Sequence, residues 1–278
     1  MTFRLERDGV APLTLTPANG WVVRKFKMGY PSVRPVVDER PLADGTDDRT
    51  AYFGSRIVTL DLLATGNRQT SMDAIGPFVV PEARSYLYYQ SSPGFERRIL
   101  LRAASVDAPW DGPPGKLEML VAWEAPNGTA ETATQQNATL NAVVPPGPGF
   151  EFDLTFDLVF PEDSPAGSTV VTTLGNAKCY PVIRLYGPCE FPRIENYDDG
   201  RRTLDFDITL GEDDYLEVDV RAKTVLLNGN ASQNRYQTLD FATSEWWVLR
   251  PGDNRVRYYP DVYSGSARAE LSWRCQFI

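Results

Sequence analysis

Residues 150–160 read Phe-Glu-Phe-Asp-Leu-Thr-Phe-Asp-Leu-Val-Phe, apolar at every second position and polar at nearly every position between. Successive side chains of a β-strand point to opposite faces, so this spacing predicts a long strand with one face buried and one in water; a helix would scatter the same residues around its circumference. The pattern recurs. Leu204, Phe206, Ile208 and Leu210 alternate with Asp205, Asp207 and Thr209, and Leu216, Val218 and Val220 alternate with Glu217 and Asp219. Near the end, Ala269, Leu271, Trp273, Cys275 and Phe277 alternate with Glu270, Ser272, Arg274 and Gln276. Further strands are predicted at 224–227, closed by Asn228-Gly229, and at 246–249, followed by Pro251-Gly252-Asp253-Asn254. Both closures carry turn chemistry. Many short strands at such spacing argue for an antiparallel sandwich of jelly-roll or lectin-like type.

The first half is more mixed. Strands are predicted at 21–26, 56–62, 98–106 and 117–123, with one short helix near 70–90. Pro81 offers a start for a helix over 82–89, with Ala83 and Leu87 four apart, and a start nearer Thr70-Ser71 is the alternative. Pro31, Pro35, Pro41 and Asp44-Gly45 make 30–50 a long connection rather than a regular element, and long loops in compact domains usually serve contacts. Residues 127–141 are rich in Asn, Thr, Ala and Gln and precede Pro145-Pro146-Gly147-Pro148-Gly149, which predicts an extended spacer. The expected fold class is all-β with a minor helix, in two β-sandwich-type domains: an N-terminal domain over 1–126, a linker over 127–149 and a C-terminal sandwich over 150–278. A chain of 278 residues is long enough for both cores.

Composition narrows the chemistry. The chain has no histidine, which removes Ser-His-Asp and Cys-His nucleophile systems, the usual zinc-hydrolase ligands and the commonest proton shuttle. It has no phosphate-cradling or dinucleotide glycine motif. Cys179, Cys189 and Cys275 are an odd, unpaired set, read as small buried hydrophobes rather than disulfides or zinc ligands. Residues 1–126 hold 15 basic and 15 acidic side chains, leaving 13 basic and 22 acidic in 127–278 out of totals of 28 and 37. An acidic chain without a basic excess is a poor candidate for gripping nucleic acid. No continuous apolar stretch approaches a membrane helix, and charges at Arg4, Glu6, Arg7 and Asp8 stand where a secretion signal would be apolar, so folding in a cytoplasm is expected.

Catalysis by carboxylates alone survives as an option, with Glu151, Asp153, Asp157, Asp205, Asp207, Glu217 and Asp219 as candidates. All stand at water-facing strand positions, where a solvated sheet places charges anyway, and that plainer reading is preferred. Asp47-Asp48, Asp198-Asp199 and Glu212-Asp213-Asp214 lack the ordered ligand spacing of a calcium loop. No catalytic, cofactor or metal site is therefore assigned. Asn127, Asn137 and Asn230 begin Asn-x-Ser/Thr triplets, read as chance matches in polar loops. Trp246, Trp247, Tyr258 and Tyr259 could stack on a glycan or fill a protein contact; alternation puts Trp246 and Trp247 on opposite faces, so one belongs to the core.

Two longer segments carry a resemblance. Arg34-Pro35 through Arg40-Pro41-Leu42-Ala43-Asp44-Gly45-Thr46-Asp47-Asp48, then Tyr52-Phe53-Gly54-Ser55-Arg56-Ile57-Val58-Thr59-Leu60, resembles a pattern early in the distal tail proteins of siphophages. Tyr180-Pro181-Val182-Ile183-Arg184-Leu185-Tyr186-Gly187-Pro188-Cys189 with Pro192-Arg193-Ile194-Glu195-Asn196 resembles a second stretch of that family. Leu226-Leu227-Asn228-Gly229 and Trp247-Val248-Leu249-Arg250-Pro251-Gly252-Asp253-Asn254 are similar to its next hairpin and turn, in the same order. The resemblance implies a hexameric ring at the virion tail tip, its N-terminal domain surrounding the DNA channel between the tail tube protein and the tip or baseplate hub protein. It also implies a projecting C-terminal sandwich similar to galectin-like and carbohydrate-binding modules. In that light Arg34, Arg56 and Asp61 become candidate ring contacts, with an ordinary strand-surface charge as the alternative for each. A carbohydrate-binding module of a phage or cell-surface protein, using Trp246 or Trp247 with Tyr258 or Tyr259, is the second functional reading.

Overall fold

The computed structural model describes residues 2–39, 44, 46–48, 51–109, 115–143 and 168–278. The strand expected over 150–160, with Glu151, Asp153 and Asp157, lies outside the described residues. The chain forms two compact units, Met1–Thr134 with Phe277–Ile278, and Gln135–Gln276.

The N-terminal unit opens with β1 (Phe3–Arg7), β2 (Val10–Leu15) and β3 (Trp21–Met28). Four short strands follow, β4 (Val33–Arg34), β5 (Val37–Glu39), β6 (Thr46–Asp48) and β7 (Tyr52–Phe53), then β8 (Arg56–Thr65) and the helix α1 (Arg68–Ile75). The remaining strands are β9 (Arg84–Ser92), β10 (Phe95–Asp107), β11 (Lys116–Ala125) and β12 (Ala130–Thr132). They build an antiparallel sheet in the order β2-β1-β9-β10-β11-β8-β3, with β12 added to β10. Burial follows the two-residue period. In β8, Val58, Leu60, Leu62 and Ala64 are buried, while Ile57 is exposed and Thr59 and Asp61 are half-buried. In β11, Leu117, Met119, Val121 and Trp123 are buried on the same side.

One short helix is present, and it is the earlier of the two alternatives. Asn67 caps it, its Oδ1 accepting from the amides of Gln69 (2.9 Å) and Thr70 (3.3 Å), which satisfies two of the orphan donors of the first turn. Gly76 and Pro77 close it, and Ile75 and Phe78 sink into the sheet. Residues 84–89, read as the other possible helix, are β9 instead. The four-residue spacing of Ala83 and Leu87 satisfies a period of two as well as one of 3.6, and Ser85, Leu87 and Tyr89 are buried on one face between β1 and β10.

Within the stretch over 30–50, expected as a connection, the described residues 30–39 and 46–48 form with 51–57 a two-stranded ribbon continuing the β3–β8 ladder. Beyond the pair Met28 and Val58 come the bonds Gly29 N to Ile57 O (3.4 Å) and Ser32 N to Ser55 O (3.2 Å). The pairings Val33 with Phe53 and Val37 with Asp48 carry it further. Proline donates no backbone hydrogen bond, so Pro31 and Pro35 interrupt the ladder into short pieces without abolishing it. Gly54 N donates to Ser32 O (2.7 Å), and Gly128, at φ 66°, packs so tightly there that a Cβ would collide with the Gly54 carbonyl oxygen.

The C-terminal unit starts with β13 (Gln136–Asn141) and β14 (Thr169–Thr173), followed by β15 (Val182–Tyr186), β16 (Cys189–Glu190) and β17 (Arg193–Asn196). Next come β18 (Arg202–Asp205), β19 (Thr209–Leu210), β20 (Tyr215–Asp219) and β21 (Thr224–Leu227). The last strands of the chain are β22 (Gly252–Tyr258), β23 (Val262–Tyr263), β24 (Arg268–Trp273) and β25 (Gln276–Phe277). The sheets are β13-β24-β15-β20-β21, β14-β22-β17-β18 and β19-β16-β23. β12 and β13 lie inside the stretch read as a spacer. Ala130, Thr132 and Leu140 are buried and make those residues strands despite a polar composition. Residues 246–249, expected as a strand, are irregular, with Leu249 joined to Cys179 by an isolated bridge.

Candidate functional site

Protein interfaces are recognised by apolar surface that the fold leaves uncovered. In the N-terminal unit such surface gathers on the ribbon: Tyr30 is 88% exposed, Val33 63%, Tyr52 52% and Phe53 48%, with Ile57 at its base 51%. A two-stranded ribbon is marginal in water by itself, because it lacks a third strand or a covered face. This one also presents aromatic and β-branched side chains outward, which a partner surface would bury.

The candidate contacts stand in three different settings. Arg34 is exposed on β4 and pairs across the ribbon with Tyr52. Asp61 lies on the outer face of the sheet, where Arg24 bridges it (2.8 Å) and Glu118 (3.0 Å). Those two carboxylates, Glu118 first, hold the Arg24 pKa above its ordinary value. Arg56, read as an interface candidate or a strand-surface charge, occupies an inward position of β8 and is only 4% exposed. It donates to the carbonyls of Gly29 (3.5 Å) and Phe277 (3.3 Å), and burial lowers its pKa. The Phe277 ring is stacked by the Arg97 guanidinium (3.7 Å) and meets Phe95 edge-on (6.0 Å). Arg56 thus holds the base of the ribbon and a C-terminal residue in one place, by position rather than by reaching a surface.

The four aromatics of the glycan reading are not brought together on one surface. Trp247 and Tyr258 have no exposed area and belong to the core. The Trp247 indole N–H donates to Ile194 O (3.3 Å). The Tyr258 hydroxyl meets Cys189 Sγ (3.2 Å) and burial raises its pKa. Trp246 is half-buried and stacks on Tyr236 at 6.4 Å and 13°, while Tyr259 is half-buried beneath Arg257 (4.5 Å).

The segments with Ile194–Asn196 and Trp247–Asn254 interlock. The Asn254 side chain accepts from the Arg250 amide (2.8 Å) and donates to the Arg250 carbonyl (2.8 Å), closing the turn at Pro251-Gly252. Asn196 donates to Val248 O (2.9 Å) and to Asn254 Oδ1 (3.4 Å). Asp199, only 2% exposed, accepts from the Val248 amide (2.9 Å) and from Arg250 (2.7 Å). Burial opposes its ionisation, but those donors and Arg202 outweigh it and hold the pKa below the ordinary carboxylate value.

Each remaining described carboxylate of the hydrolytic and calcium readings has its own setting. Asp205 pairs with Arg193 (2.9 Å) and Glu217 with Arg184 (2.9 Å). Asp219 accepts from the amides of Arg221 and Ala222, Asp198 pairs with Arg255 (2.6 Å), and Asp214 accepts from Asn228. Asp207, Glu212 and Asp213 are exposed. Asp47 and Asp48 lie in β6 with side chains outside the described set. Among the described residues no three acids or cysteines are placed to share a metal ion, and no helix is long and apolar enough to cross a membrane.

Residues 174–277 match the family model of the siphovirus-type tail component, C-terminal domain. Among solved structures, the chain is similar to the SPP1 Dit (gp 19.1) protein, described as a paradigm of the hub adsorption apparatus in phages infecting Gram-positive hosts. Identity is 12%, with 99% of each chain covered and a TM-score of 0.65. Two structures of the phage P2 baseplate in its activated conformation, with Ca and with Sr, match at 14% identity. They cover 98% of this chain and 97% of theirs, with TM-scores of 0.46 and 0.45. Comparison with curated proteins gives no match. Residues 174–277 are therefore similar to the siphovirus-type tail component C-terminal domain, and the chain as a whole has the fold of the SPP1 Dit protein.

Proposed function

We propose that this chain is a structural protein of the phage tail tip, a distal tail protein that assembles into a ring, a hexamer by its resemblance, joining the tail tube protein to the tip or baseplate hub protein. The observation that carries the reading is the ribbon with Tyr30, Val33, Tyr52 and Phe53 exposed on a backbone paired along one side only. A ring subunit meets its neighbours through a heterologous interface, one patch on one subunit against a different patch on the next, and a protruding ribbon supplies one such patch. Arg34 serves as a polar contact beside it, Arg56 positions its base, and Asp61 contributes through the surface ion-pair cluster with Arg24. By the resemblance, the N-terminal domain over 1–126 forms the ring and the C-terminal domain over 150–278 is the galectin-like sandwich.

Passage of DNA through the ring fits the electrostatics. The arginines on the outer faces of the N-terminal sheet are largely neutralised in place: Arg24 by Asp61 and Glu118, Arg98 by Glu131 (2.6 Å), Arg102 by Glu124 (3.1 Å) and Arg4 by Glu6 (2.8 Å). Paired cations release few counterions on meeting a phosphate backbone, so tight binding is not expected. The role requires no catalysis, cofactor or metal, and its place is the virion. Negative-stain imaging and light scattering of the purified chain, alone and mixed with its tail tube protein, test the reading. Closed rings in either sample support it, and a monomer in both contradicts it.

A further inference from the structure

The C-terminal unit carries a groove that the assembly role does not use. It has a volume of about 540 Å³ and lies along β18 and the segment after it, over a floor formed by the buried Phe206 and Leu239. Two phenylalanines border it in the open, Phe241 at 64% exposure and Phe191 at 39%. Phe191 is held there at φ 49°, a left-handed conformation costly for a residue with a Cβ, on a backbone fixed by its amide bond to Ile208 O (3.0 Å). Along the same groove stand Asp207 and Gln237, both exposed and with no side-chain hydrogen bond to another described residue. Arg193 and Asp205 lie beside them as an ion pair of 2.9 Å.

We infer that this groove binds a saccharide, a reading independent of ring assembly. A pyranose offers an apolar C–H face and a rim of hydroxyls. The two phenyl faces match the first, and planar carboxylate and carboxamide groups that donate or accept in pairs match the second. Sites for small ligands have this composition, an apolar lining with a few placed polar groups. A strand-like peptide is the competing occupant, and the backbone beside the groove is closed to it. The Asp240 amide donates to Asp205 O (2.9 Å), the Asp207 amide to Thr238 O (2.7 Å), and the Glu245 amide to Thr203 O (2.9 Å), so the outer edge of β18 is already paired.

The test uses the full-length chain on a printed array of bacterial capsular and wall polysaccharides, with oligosaccharides of the retained polymers titrated by calorimetry. At least one polymer is expected to be retained. Phe241→Ala should weaken its Kd by about tenfold, the loss of one stacked ring. Asp207→Asn combined with Gln237→Ala should weaken it by a similar factor, and Val170→Ser, exposed on β14 outside the groove, should leave it unchanged. All of these are exposed positions, and circular dichroism confirms that the variants fold. Retention of no polymer overturns the inference, and so does binding that survives both groove variants.

Discussion

In the ribbon of the N-terminal unit, Tyr30, Val33, Tyr52 and Phe53 face water and the chain is held by one ladder broken at its prolines. In the 246–254 segment of the C-terminal unit, expected from sequence as a strand and a turn, 246–249 are irregular, yet Trp247 and Leu249 have no exposed area. There Asn196, Asp199 and Asn254 satisfy the backbone that lacks a sheet partner. Both segments resemble the same family, yet the second specifies a fold and the first leaves a surface unfinished. Residue types shared with a family therefore do not sort themselves into structural and functional by kind. Tryptophan is core in one place, while tyrosine and phenylalanine are surface in another, and what decides is whether local hydrogen bonds close the segment on itself.

The largest effect expected on either side of this contrast is from Trp247→Ala. Removing a fully buried indole should destabilise the C-terminal unit by about 3–5 kcal/mol, read as a lower midpoint in urea unfolding. Asp199→Ala comes next, at about 1–3 kcal/mol, because it leaves the part-buried Val248 amide unpaired. Arg250 is half exposed and its lost ion pair adds little. Acid should separate the two regions. Arg255 holds Asp198, and the Val248 amide with Arg250 and Arg202 holds Asp199, below the ordinary carboxylate pKa. Such groups stabilise fully above their unfolded value of about 4, and that contribution is lost as pH falls through the lower folded values. Thermal melts from pH 5 to pH 2 should show the C-terminal transition dropping and Asp199→Asn flattening that drop. The smallest effect on stability belongs to the ribbon. Tyr52→Ser with Phe53→Ser should stay within about 0.5 kcal/mol of the parent in urea unfolding, while self-association measured by sedimentation is lost.

Much of this architecture was legible in the alternation, because burial on one face is a property of single strands. The inward sets of β8, β11, β20 and β24 all obey it. Arg56 obeys it too, and its charge concealed the fact: the same alternation that buries Val58 and Leu60 buries Arg56, and a surface role was read from residue type against the period. The ribbon was not legible, since its prolines signal a loop and its pairing depends on residues twenty positions apart. The groove at Phe191 and Phe241 was invisible for a related reason. Neither residue stands in a motif, and their proximity is set by how 236–245 closes the edge of β18. A positive φ at Phe191 has no sequence signature outside glycine and asparagine.

Amide hydrogen exchange on the isolated chain and on the assembled tail tip addresses the contrast most directly. The account predicts that amides of 29–39, 46–48 and 51–55 exchange quickly in the isolated chain and become protected on assembly, while those of 194–199 and 247–256 are protected in both. Equal exchange of the ribbon amides in the two samples would contradict it.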